Sequence, residues 1–408
     1  MSNSTKYVEV YTKQVDVARE FGVTEATVHN WIKAAEAGNN NLQLKKLKGK
    51  KVIIDNQHNH AEMYRLKEKG RKHTSNLNEM VVYADEAKLL DMFGESTLRF
   101  LINYLQLNGR IPIKYDYFNG GAEVWDRYYK LTDSGKADED TFEKVYNTVF
   151  SFVEDFDTIN IIDIGAGNGL PARKFVKKIK QTGKLGKYCL TDISQDMLDI
   201  AYKNLESDFE DELMTHVIDF EIHSFQELLF HLKNTASTNK VTNLMLFSGG
   251  TIGNYPSLLN QVRILSNIRD GMSSQDFLYV TNAFDREDLR TVFPLEKVNP
   301  EDTNEITVAY TLGLNEYMFK REFKYNPETE ARELNLVLRY ATKVIFEKLN
   351  IELHFNAGDV INVWNHKRDN HNFISEKLLR SHLELKFLYM NYGDHIRIPE
   401  ICYLVTVD

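Results

Sequence analysis

Short apolar runs that end in an acidic residue or a glycine recur through the middle of the chain. The runs at residues 160–164 and 188–192, NIIDI and YCLTD, have the length and apolar content of buried strands. Similar runs end near residue 220 and near residue 247. The segment that follows Asp192, ISQDMLDIAYKNL, is amphipathic and predicts a helix. Strands that alternate with helices in this way predict an α/β fold with a doubly wound sheet.

The first strand runs into a glycine-rich turn, GAGNG, followed by a basic amphipathic helix. Glycine at Gly165 and Gly167 lets the backbone pass close to a ligand, where a β-carbon would clash. Asp192 ends the second strand about 20 residues further on, the place of a carboxylate that accepts both ribose hydroxyls. Asp219 and Phe220 suit an adenine, because the acid accepts from the exocyclic amine and the ring stacks. These features predict a nucleoside site at the ends of the strands.

Two other interpretations of this pattern stay open. A nicotinamide-dependent enzyme uses nearly the same letters, but the turn reads GAGNG rather than the GxGxxG of a pyrophosphate site. Asp163 and Asp219 are alternatively polar caps at the ends of strands. The glycine turn alone does not separate these interpretations.

The fourth apolar run narrows the choice, because it continues from Ser248 into SGGTIGNYP. In this context the segment resembles the GSTIGN signature of the SAM-dependent histidine Nα-methyltransferase family of ergothioneine biosynthesis. YFNGGAEVWDRYY at 117–129 and FEKLNIELHFNAGDVINVWNHKR at 346–368 resemble further segments of that family. The resemblance covers roughly residues 80–408 and leaves the segment 1–75 outside it.

The resemblance implies a class I methyltransferase fold, with a Rossmann-like doubly wound sheet and a second, α+β substrate-binding region. We therefore expect a helical part of the body at 76–150, a SAM-binding domain at 151–285, and a substrate-binding region with closing strands at 286–408. S-adenosylmethionine (SAM) is the cofactor that it implies. The cofactor-binding residues expected on this basis are Asp163, Gly165, Gly167, Asn168, Arg173, Asp192, Ile193, Asp219, Phe220 and Ser248. For Arg173, an ordinary surface cation on a lysine-rich helix is the alternative.

The substrate half of the family pattern is only partly kept. Asn254 matches the residue that holds the acceptor near the methyl donor, and it is the expected catalytic residue. The family's tyrosine pair falls here on LTDSGKADE at 131–139, which has no tyrosine. Its histidine-binding acid and serine align with the segment from Trp364 to His366. The resemblance therefore implies a rebuilt pocket, an acceptor other than free histidine, and substrate-binding roles for Tyr117, Asn254, Trp364 and His366.

Two interpretations of Trp364 and His366 are equally open, one as pocket residues and one as residues outside the pocket. Trp364 offers its face to an aromatic or cationic substrate, but it is alternatively a core residue. His366 then belongs to a solvated turn with the basic residues that follow it. No acid stands at ligand spacing from His366, and no metal site is expected.

Charge separates the segment 1–75 from the rest of the chain. This segment holds 14 Lys and Arg against 8 Asp and Glu, a balance of +6, whereas the segment 76–408 holds 36 against 51, a balance of −15. This asymmetry favours a basic module that meets a polyanion. A solvated basic arm is the alternative.

Residues 14–33, QVDVAREFGVTEATVHNWIK, have the apolar spacing of a helix-turn-helix, with Gly22 in the turn. The second helix, about 24–36, presents candidates for contacts with DNA bases or phosphates, namely Thr27, His29, Asn30 and Lys33. Helical hairpins with this pattern also serve as plain packing units. DNA is therefore an expected partner of residues 1–75, through an α-helical module.

LQLKKLKGKKVII at 42–54 predicts a two-stranded ribbon that turns at Gly49. Its lysines, among them Lys48 and Lys50, would approach a phosphate backbone. Together with the preceding helices the ribbon resembles the winged helix-turn-helix of single-domain regulators and excisionases. A short basic helix and linker are expected at 64–76.

Composition excludes several other classes of protein. With 42% hydrophobic and 27% charged residues, the chain is not collagen-like or wholly disordered. No apolar run approaches the roughly 18 residues of a membrane span, and no secretion signal opens the chain. Cys189 and Cys402 lie in apolar runs, which predicts buried thiols in a cytoplasmic protein.

These observations predict a SAM-dependent methyltransferase that N-methylates a small amine or an amino-acid derivative. The alternative is a transcription regulator whose methyltransferase-like body senses SAM or a ligand without turnover. Methylation of a nucleic acid is disfavoured, because the [DN]PP[FYW] and Pro-Cys signatures of DNA methyltransferases are missing.

Overall fold

The computed structural model describes most of the chain and divides it into two compact units. The described residues are 17–18, 25–38, 40–47, 50–54, 59, 62–63, 79–118, 120–131, 134–293, 304–392 and 399–407. The first unit is made of Met1–Glu86, Tyr310–Arg321 and Leu336–Val360. The second is made of Ala87–Ala309, Glu322–Asn335 and Ile361–Asp408.

Fifteen strands and ten α-helices occur in the described part of the chain, and both are numbered in chain order. The strands are β1 (Leu44–Leu47), β2 (Lys50–Ile53), β3 (Glu79–Tyr83), β4 (Thr158–Ile164), β5 (Leu185–Asp192), β6 (Leu213–Val217), β7 (Val241–Phe247), β8 (Phe277–Ala283), β9 (Phe319–Asn326), β10 (Ala331–Leu338), β11 (Ala341–Phe346), β12 (Ile351–Phe355), β13 (Val360–Lys367), β14 (Leu383–Asn391) and β15 (Glu400–Val407). The helices are α1 (Glu25–Glu36), α2 (Glu86–Asn108), α3 (Gly121–Leu131), α4 (Ser134–Ser151), α5 (Leu170–Gln181), α6 (Gln195–Phe209), α7 (Gln226–Asn234), α8 (Leu258–Arg269), α9 (Thr307–Thr311) and α10 (His371–Arg380).

In the first unit, helix α1 and the antiparallel pair β1–β2 surround a small apolar cluster. Val28 and Trp31 of α1 are buried there with Leu42 and Ile53. The predicted second helix and the predicted ribbon are both present as elements. The connection at Gly49 and the expected helix and linker at 64–76 lie outside the described residues.

The second unit is built on a seven-stranded sheet with the order β14-β15-β8-β7-β4-β5-β6. Strands β4, β5, β6, β7 and β8 pair in parallel, whereas β15 is antiparallel to both β8 and β14. Along the chain, β4, β5 and β6 follow one another toward one edge of the sheet, and β7 and β8 then follow one another on the other side of β4. The direction in which strands are added therefore changes next to β4. The carboxyl ends of the central strands therefore meet at one edge, where ligands bind in doubly wound sheets. The predicted α/β fold is confirmed.

Apolar residues cover both faces of this sheet. In β7, Leu244 and Leu246 belong to one buried cluster, and Met245 and Phe247 belong to another. Helices lie over both clusters, which explains why the strands read as continuous apolar runs instead of alternating ones. This double burial holds the strand ends, and the loops that follow them, in place.

The structure of the sheet corrects one prediction from the sequence and confirms another. Strand β6, which belongs to the third of the predicted β-α units, ends at Val217. Asp219 and Phe220 therefore lie in the turn after it and not in the strand. Both cysteines are free and buried, as predicted. Burial raises the pKa of the Cys189 and Cys402 thiols to about 12.

Candidate active site

The glycine turn after β4 depends on the absence of side chains at three positions in the second unit. Gly165, Gly167 and Gly169 have φ angles of 63°, 55° and 73°, in the left-handed region. A β-carbon on Gly167 would lie 2.8 Å from the Trp125 ring, and one on Gly169 would lie 2.5 Å from Leu205. The turn is therefore closed by Trp125 on one side and by helix α6 on the other.

Asn168 is buried in this turn and is held by hydrogen bonds within the protein. Its Nδ2 donates to Asp126 Oδ1 at 2.9 Å, and its Oδ1 accepts from the Leu170 N–H at 3.2 Å. Asn204 Nδ2 also donates to the Asn168 carbonyl at 3.0 Å. The observed role of Asn168 is to shape the turn, and its contact with the cofactor stays a prediction.

Two carboxylates lie at the ends of β4 and β5. Asp163 is buried and accepts a hydrogen bond from the Tyr188 hydroxyl at 3.0 Å. Burial raises its pKa to about 7, against the lowering effect of Tyr188. Burial likewise raises the pKa of Asp192 to about 6, although hydrogen bonds from the Ser194, Gly167 and Ile193 backbones lower it. Asp192 is thus tied to the glycine turn, as a ribose-binding carboxylate at this edge requires.

Asp219 and Phe220 occupy the turn after β6. Asp219 Oδ2 accepts from Lys114 Nζ at 2.8 Å, and Lys114 lies 3.2 Å from Glu221 Oε1. The Phe220 ring packs edge-on against Phe247, with a centroid separation of 5.3 Å. Lys114 is a site residue that the sequence analysis missed, because no local signal connects it with a turn 105 residues away.

The strand ends that the sequence predicted are brought together. A β-carbon on Gly165 would lie 3.6 Å from Thr251 and 3.7 Å from Phe220, so the loops after β4, β6 and β7 meet here. Ser248 is buried at the end of β7, and its carbonyl accepts from the Thr251 hydroxyl at 3.2 Å. Ile193 is half-buried beside Asp192.

Tyr117 joins the same region through the 3-10 turn Ile113–Tyr117. Its carbonyl accepts from the Ser194 hydroxyl at 2.9 Å, and its ring meets Trp125 edge-on at 6.4 Å. Burial raises the pKa of the Tyr117 hydroxyl, and nearby Glu305 raises it further. The phenol therefore stays protonated beside the glycine turn, where it is a hydrogen-bond donor.

Arg173 is held away from this group of residues by an ion pair. Its Nε lies 2.6 Å from Asp208 Oδ2 near the end of α6, and Lys177 Nζ lies 3.0 Å from the other oxygen of Asp208. This is the surface-cation arrangement that the sequence analysis kept as the alternative. A role for Arg173 in cofactor binding stays a prediction.

Asn254 ends the 3-10 helix Thr251–Asn254 that follows β7. Its carbonyl accepts from Arg110 Nη2 at 3.4 Å. In the part of the chain that the structure describes, its side-chain amide has no hydrogen bond. Burial lowers the pKa of Arg110, and with the Asn365 amide oxygen turned toward it, Arg110 Nη2 lies 3.0 Å from that oxygen. The Asn254 amide is therefore available to a ligand.

His366 and Trp364 lie on β13 and are brought to this loop. Their rings stack with centroids 5.9 Å apart. A β-carbon on Gly253 would lie 2.5 Å from His366 Nε2, so the imidazole is directly against the loop that carries Asn254. Burial, with Arg332 and Arg368 nearby, lowers the pKa of His366 to about 3, and the imidazole is neutral at pH 7. Arg332 and Arg368 are further residues that sequence reasoning missed.

The expected DNA-contacting residues belong to the first unit. His29, Asn30 and Lys33 are exposed on α1, and Thr27 is in the same helix. Lys50 begins β2, and Lys48 lies outside the described residues. Contact with DNA stays a prediction for all six.

The described residues contain no group of three or more His, Cys, Asp or Glu side chains arranged to hold a metal ion. None of their helices combines the length and apolar character that a membrane crossing needs.

Solved structures similar to this chain include several methyltransferases of low sequence identity. One is a SAM-dependent methyltransferase from Clostridium acetobutylicum, 12% identical, with a TM-score of 0.39, over 71% of this chain and 99% of the other. Another is the magnesium protoporphyrin IX methyltransferase from Synechocystis with bound S-adenosylhomocysteine (SAH), 10% identical, with a TM-score of 0.39, over 76% and 99%. No curated protein sequence matches the chain.

The residues at the strand ends fit SAM. The turn at Gly165 leaves room beside Phe220 that a larger side chain would fill, and Asp192 supplies a carboxylate held by backbone N–H groups. The family model described as "Histidine-specific methyltransferase, SAM-dependent" matches residues 101–398, and SAM is the cofactor of this enzyme. Since that match spans more than half of the sequence, the chain belongs to the family of histidine-specific, SAM-dependent methyltransferases.

Proposed function

We propose that this methyltransferase N-methylates a small amine or an amino-acid derivative other than free histidine. We further propose that residues 1–75 form a helix-turn-helix module that binds DNA. The observation that carries the first proposal is the Asn254 side-chain amide, which has no hydrogen bond among the described residues and adjoins His366 through Gly253.

The chemistry of methyl transfer explains the importance of a free amide. SAM supplies an electrophilic methyl group on a sulfonium centre. The nucleophile must be neutral and must be held about 3 Å from the methyl carbon, opposite the sulfur, with water excluded. The Asn254 amide oxygen can accept a hydrogen bond from an amine N–H and so orient the nitrogen lone pair. Positioning by Asn254 is therefore the main contribution that we assign to this chain.

The surroundings of His366 disfavour a cationic imidazolium in the same pocket. Arg332 and Arg368 both lower the pKa of His366, which means that both place positive charge near it. A cationic imidazolium would be repelled there in the same way. The neutral His366 is a poor proton acceptor at pH 7, and we assign it to the shape of the pocket and not to proton transfer.

The test is methyl transfer from [methyl-³H]SAM to a panel of amines and amino acids by the full chain. Incorporation into a small molecule that falls at least tenfold in Asn254→Ala, with SAM affinity unchanged, would support the proposal. A matched control is Asn234→Ala, which removes an exposed amide at the end of α7. SAM binding without methyl transfer to any amine would favour the alternative of a regulator that senses SAM.

The DNA-binding proposal is supported by the surface of α1. His29, Asn30 and Lys33 are exposed on this helix, whereas Val28 and Trp31 are buried against the rest of the small apolar cluster. A recognition helix needs such a division between a packed face and a polar face. The positive charge balance of the segment 1–75 supports the same assignment.

A further inference from the structure

Arg332 and Arg368 are two buried arginines whose guanidinium groups are only partly hydrogen-bonded. Their exposed fractions are 6% and 3%. Arg332 Nη1 donates to the Val292 carbonyl at 2.7 Å, and Arg368 Nη1 donates to the Leu289 carbonyl at 3.0 Å. Among the residues that the structure describes, no hydrogen-bond partner is present for the buried Nε atom of Arg332 or for the buried Nε and Nη2 atoms of Arg368.

Both groups carry a positive charge at neutral pH. Burial, with Arg368 nearby, lowers the pKa of Arg332 to about 9. Burial lowers the pKa of Arg368 to about 10, although Asp285 and Asp288 raise it. Two like charges that are buried together and incompletely hydrogen-bonded destabilise a folded protein. An anion between them would remove that penalty.

The two acidic side chains that raise the pKa of Arg368 are already paired with other arginines. Asp285 accepts two hydrogen bonds from Arg290, at 3.1 and 2.6 Å. Asp288 accepts two from Arg286, at 3.1 and 2.7 Å. In the described residues, neither carboxylate forms a hydrogen bond with Arg368. These two acids therefore act on Arg368 only at a distance and leave its free N–H groups without a hydrogen-bond acceptor in the described residues.

Aromatic contacts connect Arg332 with the candidate active site. The Arg332 guanidinium carbon lies 5.6 Å from the centre of the Trp364 ring, and Trp364 stacks on His366. His366 in turn contacts Gly253, next to Asn254. The Nδ1 atom of His366 is also buried, and it has no hydrogen-bond partner in the described part of the chain. Arg332 and His366, each with an unused polar atom in the described residues, thus lie within two ring contacts of the Asn254 loop.

We propose that an anionic group of the methyl acceptor, a carboxylate or a phosphate, binds between Arg332 and Arg368 while the amine of the same molecule lies at Asn254. The planar fork of a guanidinium matches both kinds of anion. This inference deepens the proposed function and rests on it, since it assigns the acceptor to the class of small amines that carry an anion.

Binding can be tested without knowledge of the acceptor. The full chain, saturated with SAH, is heated in chloride, acetate or inorganic phosphate buffers of equal ionic strength. We expect acetate or phosphate to raise the unfolding midpoint by about 2–4 °C at ten times its dissociation constant. The larger of the two shifts identifies a carboxylate or a phosphate as the preferred anion. Equal midpoints in all three salts would overturn the proposal.

Substitutions then locate the effect. Arg332→Gln and Arg368→Gln should each weaken binding of the preferred anion about tenfold or more. The matched control is Arg380→Gln, because Arg380 is half exposed and pairs with Glu376 on α10. If the preferred anion raises the unfolding midpoint of Arg332→Gln and Arg368→Gln as much as that of the unaltered chain, the anion binds elsewhere and the assignment is overturned. If those variants do not fold, the comparison of salts in the unaltered chain still decides.

Turnover provides a separate readout. Pairs of acceptors that differ only in the presence of the anion, such as β-alanine against β-alaninamide and O-phosphoethanolamine against ethanolamine, are compared in the methyl-transfer assay and in binding. A preference for the anionic member in binding that is lost in Arg332→Gln supports the anion site. Absence of methyl transfer to every amine, with that preference intact, would contradict the proposed function and leave the anion site standing. Equal binding of both members of each pair would contradict the anion site alone.

Discussion

The Nε2 atom of His366 would lie 2.5 Å from a β-carbon on Gly253, which leaves no room for any side chain at that position. The imidazole and the loop after β7 therefore pack so closely that one added methyl group would clash. Because Asn254 is the next residue, the position of its amide depends on this contact.

We predict that Gly253→Ala destabilises the protein by about 1–3 kcal/mol, the usual result of overpacking. The new methyl group would meet His366 and also Asn282 Oδ1, at 2.7 Å. Chemical denaturation of the single variants and of the Gly253→Ala/His366→Ala pair measures the coupling. The pair should recover part of the loss, because one of the two clashes is removed. Strictly additive effects would show that the two residues do not press on each other.

SAM affinity should depend on the carboxylate of Asp192. Asp192→Ala removes the acceptor for the ribose hydroxyls and should weaken binding by about 1–3 kcal/mol, and Asp219→Ala should weaken it through the adenine amine. Since the pKa of Asp192 is raised to about 6, affinity should also fall as pH drops below that value. Calorimetric titration between pH 5 and 8 measures both effects. Unchanged affinity in both alanine variants would disprove the assignment.

Asp163 should make the stability of the protein depend on pH. Its pKa is raised by burial to about 7, above the ordinary value of 3.8, so the folded state favours the protonated acid. That stabilisation is fully present below about pH 4 and is lost as pH rises through 7. We therefore expect the free energy of unfolding of Asp163→Asn, relative to that of the unaltered protein, to increase between pH 5 and pH 8 by on the order of 2–4 kcal/mol. Denaturant midpoints at several pH values test this, and a constant difference would contradict it.

The β-α order, the glycine turn and the strand-end acids could be predicted because their signals are local. A buried strand and the turn after it occupy a few successive residues, and the periodicity of apolar positions reports them directly. The pairing of Lys114 with Asp219 has no such signal, since it joins residues 105 positions apart. Arg332 and Arg368 escaped notice for the same reason, because only the packing around β10 and the end of β13 shows that they are buried.

DNA binding by the full chain should weaken steeply with salt. Six to eight phosphate contacts would give a log–log slope of about −5 to −7. Lys33→Ala should reduce the slope by about 1. The control, Lys203→Ala, removes an equal charge from an exposed position on α6 and should leave the slope unchanged. Fluorescence anisotropy measures the slopes, and equal slopes in both variants would show that Lys33 does not contact DNA. DNA binding that survives deletion of residues 1–75 would show that this segment is not the DNA-binding module.

The last prediction concerns free histidine, the acceptor suggested by the description of the family. The positions expected to hold a histidine side chain carry Trp364 and His366 here, and Arg332 is close to both. Each lost hydrogen bond to a charged group is worth about 1.5–3 kcal/mol, so two or three such losses reduce turnover at least a hundredfold. Mass spectrometry of histidine incubated with SAM and the full chain should therefore detect negligible methylation, under conditions in which an amine from the panel is methylated. Robust trimethylation of histidine would show that the pocket binds an imidazole in spite of these residues and would contradict the exclusion of histidine, and the α-carboxylate of histidine would then be the anion for Arg332 and Arg368.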